Sequence, residues 1–438
     1  LAKKKQQTDE SQTPKGADSL DAVFQAAQRD MRKHWGERQY VGGAEESRLF
    51  CLDAPLALQS LLGLPGLPLG RSYVFVGEPG SCKSAGMYEV GRIFRRAGGG
   101  FTLIETEKKE SASLLKSISG YDNRRRAVYY ARTVEEWQEC VTANLDATRK
   151  MLAEHDPPSA YPWFFIVDSI GGVTTASVGE AIESEGAAKL VQPQAANILN
   201  TYLKRMGHWF DLSPFAVGFV NHLKLSPDRH GNRNVRNMQG GYAPRFHESL
   251  EIEFQPVGRQ FENRSPVHEL GRRIRLKIYK NSLAGEGQPL EVEMRWYFEE
   301  LAAGGRIQRT YWDWETALVD RLLDSDLPAK VRKEIDALVD IRPVNKGKSV
   351  SFASERLGVS EKEPVSARKL GCLIEANQEL RRALRGPLGI QDRFVFQPGV
   401  DIDGQRREAV QRIVAIPGDG LDLATLPDDP QGMEGARA

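Results

Sequence analysis

Residues 71–84 read Arg-Ser-Tyr-Val-Phe-Val-Gly-Glu-Pro-Gly-Ser-Cys-Lys-Ser, and no other stretch constrains the fold of this chain as strongly. Tyr73 to Val76 has the β-branched and aromatic make-up of a short buried strand and runs directly into Gly77. Gly77, Glu78, Pro79, Gly80, Ser81, Cys82, Lys83 and Ser84 then follow the spacing of a phosphate-binding loop. Ala85 to Arg96 behind them carries apolar residues at helical spacing. Successive backbone N–H groups in such a loop curl around an anion, and the helix N-terminus adds its positive dipole end. Lys83 supplies a point charge for the β and γ oxygens of a nucleotide, and Ser84 a hydroxyl for Mg²⁺. Cys82 stands where the pattern has glycine, so its side chain is expected to crowd the phosphate or strain the turn.

At 438 residues, with 40% hydrophobic and 27% charged residues, the chain reads as about two folded units of a soluble globular protein plus tails. No apolar run approaches the ~20 residues of a membrane helix. The N-terminal Leu1-Ala-Lys-Lys-Lys-Gln-Gln is basic and lacks the apolar segment of a signal peptide. Cys51, Cys82, Cys140 and Cys372 are widely spaced, which argues against a zinc site or a disulfide framework and fits a reducing cytoplasm.

Further buried strands are expected at Phe101–Ile104, Ala127–Tyr130, Trp163–Val167 and Phe215–Val220, with amphipathic helices at 134–154 and 187–210. The first of these strands ends in Glu105-Thr-Glu107, where a carboxylate beside the phosphate loop is placed to polarise a water. The third ends in Asp168, the arrangement in which a carboxylate holds the Mg²⁺ shell. Residues 223–245 lack hydrophobic periodicity and carry Lys224, Arg229, Arg233, Arg236 and Arg245 with Gly240 and Gly241. They read as a long functional loop suited to tracking single-strand phosphates. Leu250–Phe254, Arg273–Asn281 and Leu290–Phe298 alternate as half-exposed antiparallel strands do.

The run Gly66-Leu-Pro-Leu-Gly-Arg71, followed by strand and phosphate loop, resembles the entry to the ATPase core of RecA-type recombinases, and the resemblance extends over residues 60–298. It implies an α/β RecA-like core, a mainly parallel sheet between helices with an antiparallel extension. It also implies that Glu107 rather than Glu105 is catalytic, and that Lys83, Ser84 and Asp168 hold ATP and Mg²⁺. Asn221 and His222 would sense the γ-phosphate, with His222 standing where the family has Gln. Residues 171–185 resemble the first DNA-binding loop and 223–245 the second. Lys280-Asn281-Ser282 falls where the family has two lysines that reach the ATP of the neighbouring subunit; Lys280 matches the first, and Ser282 replaces the second. The departures at Cys82, His222 and Ser282 suggest a divergent, phage-like member.

The expected organisation is a disordered arm over 1–19, an N-terminal helical or oligomerisation element over 20–59, the ATPase core over 60–304, a small α or α+β C-terminal domain over 305–416, and an acidic disordered tail over 417–438. Helical patterns fall at 312–323, 328–339 and 366–384, and short strands near 394–397. Lys346, Lys348, Arg368, Lys369, Arg381, Arg382 and Arg385 suggest a basic face for duplex DNA. The favoured reading is a cytoplasmic, DNA-dependent ATPase that forms a helical filament on single-stranded DNA and pairs it with homologous duplex DNA, aided by single-strand-binding or loader proteins. The alternatives are a hexameric RecA-fold DNA motor, and an ATP-binding coating or mediator protein with little hydrolysis.

Overall fold

The computed structural model describes residues 50–107, 126–153, 162–172, 175, 200–201, 203–204, 215–227, 234–238, 247–261, 269–285, 287–300, 306–344, 349–391 and 395–396. The expected N-terminal arm and helix stripe, most of the 171–185 and 187–210 segments, and the acidic tail lie outside these residues. In chain order the elements are β1 (Phe50–Asp53), α1 (Leu56–Leu62), β2 (Gly66–Pro68), β3 (Ser72–Gly77), α2 (Lys83–Arg96), β4 (Gly100–Glu105), β5 (Arg126–Tyr130), α3 (Val134–Ala153), β6 (Trp163–Asp168), β7 (Phe215–Pro227) and β8 (Asn234–Met238). They continue as β9 (Leu250–Phe261), β10 (Glu269–Asn281), β11 (Leu290–Glu300), β12 (Arg306–Trp312), α4 (Trp314–Leu322), α5 (Ala329–Leu338), β13 (Asp340–Val344), β14 (Ser349–Ser354), β15 (Val359–Val365), α6 (Ala367–Ala376), α7 (Gln378–Arg385) and β16 (Val395–Phe396).

The organising layer is a ten-stranded sheet ordered β12-β11-β10-β9-β3-β7-β6-β4-β5, with β8 paired to β7. From β9 to β5 every neighbouring pair is parallel, and β10, β11 and β12 extend the sheet antiparallel. Parallel strands are covered on both faces, which is why their sequences read as nearly unbroken apolar runs. Tyr73, Phe75, Leu103, Phe164 and Ile166 pack on one face with α2 and the helices α1 and α4. Val74, Val76, Ile104, Phe165, Val167 and Phe219 pack on the other, where Trp137 of α3 meets Phe219 edge to face at 5.8 Å. Gly86 lets the first turns of α2 lie against the sheet, because a Cβ there would stand 2.5 Å from the Phe254 ring.

Three expectations change. Leu250–Phe254 is not half-exposed: β9 pairs antiparallel with β10, as expected, but on its other side it runs parallel to β3, and Glu251 and Glu253 are buried. Their register partners on β10 are Lys280 and Lys277, so the alternation sets acidic positions opposite basic ones inside the sheet rather than marking a wet face. The helical pattern at 366–384 is two helices, since Asn377 turns extended and accepts the Leu380 N–H at 2.9 Å as the cap of α7. The basic face is partly interior, although Arg382 is exposed and Lys369 half-buried. Arg381 makes a two-pronged pair with Asp53 at 2.8 and 2.9 Å, and Arg368 stands over the Tyr311 ring at 4.9 Å. Arg385 Nε donates to Gln59 at 3.2 Å, and Lys346 and Lys348 lie outside the described residues.

The segments after β12 build a small sheet ordered β13-β14-β15 and the helices α4 to α7, and β16 returns to pair in parallel with β1. Glu375 of α6 accepts the Leu56 N–H at 2.6 Å at the start of α1. Glu315, wholly inside near the start of α4, has its carboxyl pushed up to about 8 by burial and by the neighbouring Asp313 carboxylate. The folded chain then keeps a proton that the unfolded chain releases near 4.5, so the contribution of Glu315 to stability is fully present below that value and is lost as pH rises towards about 8. Thermal unfolding of Glu315→Gln should show a flatter decline, with the variant gaining on wild type at about pH 8 relative to about pH 5.

Candidate functional site

β3 delivers the chain to the loop at the C-terminal edge of the sheet, where Gly77 is wedged: a Cβ there would lie 2.5 Å from the Phe254 carbonyl and 2.6 Å from Ser81 Oγ. Ser81 N–H closes the turn onto the Glu78 carbonyl at 3.2 Å. Cys82 adopts the left-handed conformation, φ +66°, that glycine occupies without strain, and α2 starts directly after it with no side-chain cap and no acidic residue in its first turn. A non-glycine residue there costs about 1–2 kcal/mol, so the expected strain is borne in the backbone. Lys83, 4% exposed, folds its ammonium back into the loop, donating to the Glu78 carbonyl at 2.6 Å and to Ser81 Oγ at 3.3 Å. The loop thus gathers a buried cation, a helix N-terminus and curled amides, a composition that attracts a phosphate.

Beside it the strand ends assemble a polar cluster. The register sets Glu105 opposite Asp168 and Gly77 opposite His222. Thr106 ties β4 to β6: its N–H donates to the Asp168 carbonyl at 2.9 Å, its hydroxyl donates to the Ser169 carbonyl at 2.7 Å, and that oxygen accepts the Ser169 N–H at 2.9 Å. Tyr88, on the second turn of α2, donates its hydroxyl to Asp168 Oδ2 at 2.9 Å. Ser169 Oγ donates to Glu107 Oε1, and His222 Nε2 lies 3.3 Å from the same oxygen, which requires the imidazole proton on Nε2 when the carboxylate accepts. Glu105 is 1% exposed, whereas the Glu107 and His222 side chains each keep 20% of their surface, so of the two acids Glu107 is the one with access to water. Asn221 is buried on β7 opposite Val76.

Two groups of expected residues stand apart from this cluster. Lys280 lies near the C-terminal end of β10, opposite Glu251, which itself pairs with Val74, three residues below Gly77. That is about 10 Å down the strand direction and away from the loop. Residues 223–245 are not structureless throughout: β7 runs unbroken from Asn221 and His222 to Pro227 and turns back as β8, with Lys224 opposite Asn237 and Leu225 opposite Arg236. The alternation of Leu223 and Leu225 with Lys224 and Ser226 carried that signal. Arg229, Arg233, Gly240, Gly241 and Arg245 fall outside the described residues. His247 belongs to the far end of the sheet, its carbonyl accepting the Ser72 hydroxyl at 2.7 Å. Sequence reasoning missed Tyr88, Thr106 and Ser169, which sit beside recognised positions without a motif of their own. It also missed Arg272, whose Nη1 donates to the Gly80 carbonyl at 2.9 Å.

Among the described residues no cluster of three or more His, Cys, Asp or Glu side chains is poised for a metal. Beside the loop stand two hard oxygen donors by position, the hydroxyl-bearing Ser84 in the first turn of α2 and Asp168 at the end of β6. A sparse hard-oxygen set of that kind fits Mg²⁺, which keeps several waters and takes only one or two protein ligands.

Fold and site together define an α/β protein with a glycine-containing strand-to-helix loop of phosphate-binding pattern at the C-terminal edge of a mainly parallel sheet. Comparison with curated proteins carries this one step further. The chain is 23% identical over 239 residues to the protein RecA of Sulfurimonas denitrificans, covering 55% of this chain and 64% of that one. It is 22% identical over 277 residues to the protein RecA of Campylobacter jejuni, covering 63% and 74%. A third relative, the mitochondrial DNA repair protein recA homolog 3 of Arabidopsis thaliana, is 22% identical over 301 residues, 67% of this chain and 65% of the relative. No protein-family model matches the chain. These similarities support a relationship to the RecA family, with which the mixed α/β fold and its large, mostly parallel sheet are consistent.

The left-handed Cys82 generates a direct expectation. Cys82→Gly should raise the unfolding midpoint by an amount corresponding to about 1 kcal/mol, and Cys82→Val should lower it, because a β-branched residue tolerates positive φ worst. Calorimetry of the three proteins checks the order.

Proposed function

We propose that this chain is a DNA-dependent ATPase of the recombinase type, which coats single-stranded DNA as a helical filament and pairs it with homologous duplex. The observation that carries the reading is a continuity: β7 brings Asn221 and His222 to the nucleotide edge and continues without a break into the hairpin that bears Lys224 and Arg236. A strand that touches the hydrolytic carboxylate at one point and the basic hairpin a few residues later can couple the two sites mechanically.

In this reading Lys83 exchanges the Glu78 carbonyl for the β and γ oxygens of ATP, and the loop amides of Gly77 to Ser84 cradle the β-phosphate. Ser84 and Asp168 would hold Mg²⁺, which would neutralise charge on the phosphates, and the Tyr88 hydroxyl fixes the direction of the Asp168 carboxylate. Glu107 orients the attacking water and accepts its proton, with Ser169 and His222 fixing the carboxylate in direction. Asn221 and His222 register the γ-phosphate. Lys224, Arg229, Arg233, Arg236 and Arg245, with Gly240 and Gly241 among them, take the DNA backbone. Lys280, at the other end of the sheet, suits a contact with the nucleotide of a neighbouring subunit rather than its own. Single-strand-binding or loader proteins would assist assembly.

A second reading, an ATP-binding coating protein with slow turnover, is favoured by the strained Cys82. Hydrolysis assays with and without single-stranded DNA, on wild type, Lys83→Ala and Glu107→Gln, separate the two, with electron microscopy of the same samples. DNA-stimulated turnover that Lys83→Ala abolishes and Glu107→Gln lowers by about 10²–10⁴-fold is the expected result. Filaments without turnover would favour the coating protein, closed rings a motor, and no response to DNA would overturn the proposal.

A further inference from the structure

Arg272 belongs to no phosphate-loop or acidic-strand motif, yet its side chain arrives at the phosphate loop from the antiparallel half of the sheet. β10 runs antiparallel to β9 and β9 parallel to β3, so the N-terminal end of β10 comes up beside the C-terminal end of β3. Arg272 is paired there with Arg259 on β9 and Met294 on β11. Its backbone is pinned close by: a Cβ on Gly271 would stand 2.4 Å from the Met294 carbonyl. From that anchored start, Nη1 crosses to the Gly80 carbonyl at 2.9 Å, a contact between residues 192 apart in the chain. Gly80 forms the tip of the loop with φ +76°.

The loop is therefore held by two cations from two sides. Lys83 ties the Glu78 carbonyl from within, and Arg272 ties the Gly80 carbonyl from outside. With the Gly80 carbonyl drawn outward by Arg272, the neighbouring amides are left to turn towards an anion, so this contact favours the phosphate-accepting shape of the loop even when Lys83 leaves Glu78 for a phosphate. This matters more here than in a loop with glycine at position 82, because Cys82 is strained in the conformation that shape requires. Arginine suits this role because its guanidinium is charged at every physiological pH and rigid enough to reach a carbonyl in a defined direction. Its charge also stands at the outer lip of the loop, where a polyphosphate would enter.

We propose that Arg272 is a nucleotide-positioning residue acting within its own subunit, holding the tip of the phosphate loop through Gly80 and adding a fixed positive charge at the mouth of the site. The assignment rests on the nucleotide reading above and adds to it a residue from the antiparallel extension. Because the effect is electrostatic and confined to the phosphate end, it should grow with the number of phosphates and fall on KM more than on kcat.

The test measures binding of fluorescent ATP, ADP and AMP analogues to the full-length wild type, Arg272→Ala, Arg272→Lys and the reference Lys83→Ala, together with unfolding midpoints and steady-state hydrolysis. Arg272→Ala should weaken the ATP analogue about 10-fold and the AMP analogue less than about 2-fold, with kcat held within about 2-fold and Arg272→Lys recovering part of the affinity. Unchanged ATP affinity in Arg272→Ala, with wild type binding and Lys83→Ala defective, would overturn this assignment and leave the nucleotide reading intact. An equal loss for all three nucleotides with a lowered midpoint would also overturn it, marking a merely structural arginine. A wild type that binds none of the three would overturn the nucleotide reading and this assignment together.

Discussion

The parallel register of β3, β7, β6 and β4 is the constraint on which the rest of the site depends. Because side chains alternate along a strand, a slip of one residue in any pair would turn the acids or His222 to the wrong face of the sheet. The observed register sets Glu105 against Asp168 and Gly77 against His222, and so brings the ends of β3, β4 and β6 to one edge beside the His222 position of the longer β7. Apolar layers on both faces hold that register, with Phe164 and Ile166 facing one way and Phe165 and Val167 the other. Function at the edge is thus a consequence of packing below it. The polar ties at Thr106, Ser169 and Tyr88 then convert a correct register into fixed directions for Glu107 and Asp168.

Buried charges extend this control beyond the sheet. Glu89 and Arg92 on α2 pair with each other in the interior, and Trp314 donates its indole N–H to Glu89 at 3.1 Å. The helix that starts at the phosphate loop is thereby linked to α4. Farther out, Asp53 and Glu375 share Arg381, which joins the β1 end of the chain to α6 and α7. Such pairs offset much of their attraction with desolvation, and their removal one partner at a time costs about 3–5 kcal/mol. Their value lies in specifying one arrangement of helices around the loop.

Much of this was legible in the sequence because the relevant signals are local. The strand, loop and helix from Ser72 to Arg96, and the apolar strands ending at Glu105 and Asp168, lie where hydrophobic runs and turn residues put them. What escaped was non-local. The alternation at Leu250–Phe254 reads as a half-exposed strand, yet it is a central one whose glutamates are buried and stand opposite lysines of β10 in register, information that exists only in the pairing. The basic residues Arg368, Arg381 and Arg385 look like a surface when counted along the chain, but their partners Tyr311, Asp53 and Gln59 are distant in sequence. β13 to β15 escaped as well, because Pro343 and Pro364 interrupt short polar strands. Arg272 could not be found without the antiparallel register that swings the start of β10 towards the loop.

If the loop at 77–84 and the cluster around Glu107 form one nucleotide site coupled through β7, both must engage the same bound molecule. An experimental structure of the full chain with a non-hydrolysable ATP analogue, Mg²⁺ and single-stranded DNA tests this most directly. The expected result is the γ-phosphate between Lys83 and Glu107, with Lys83 released from the Glu78 carbonyl and the β7–β8 hairpin against DNA. A nucleotide bound elsewhere, or Lys83 still folded onto Glu78 beside a bound nucleotide, would contradict it.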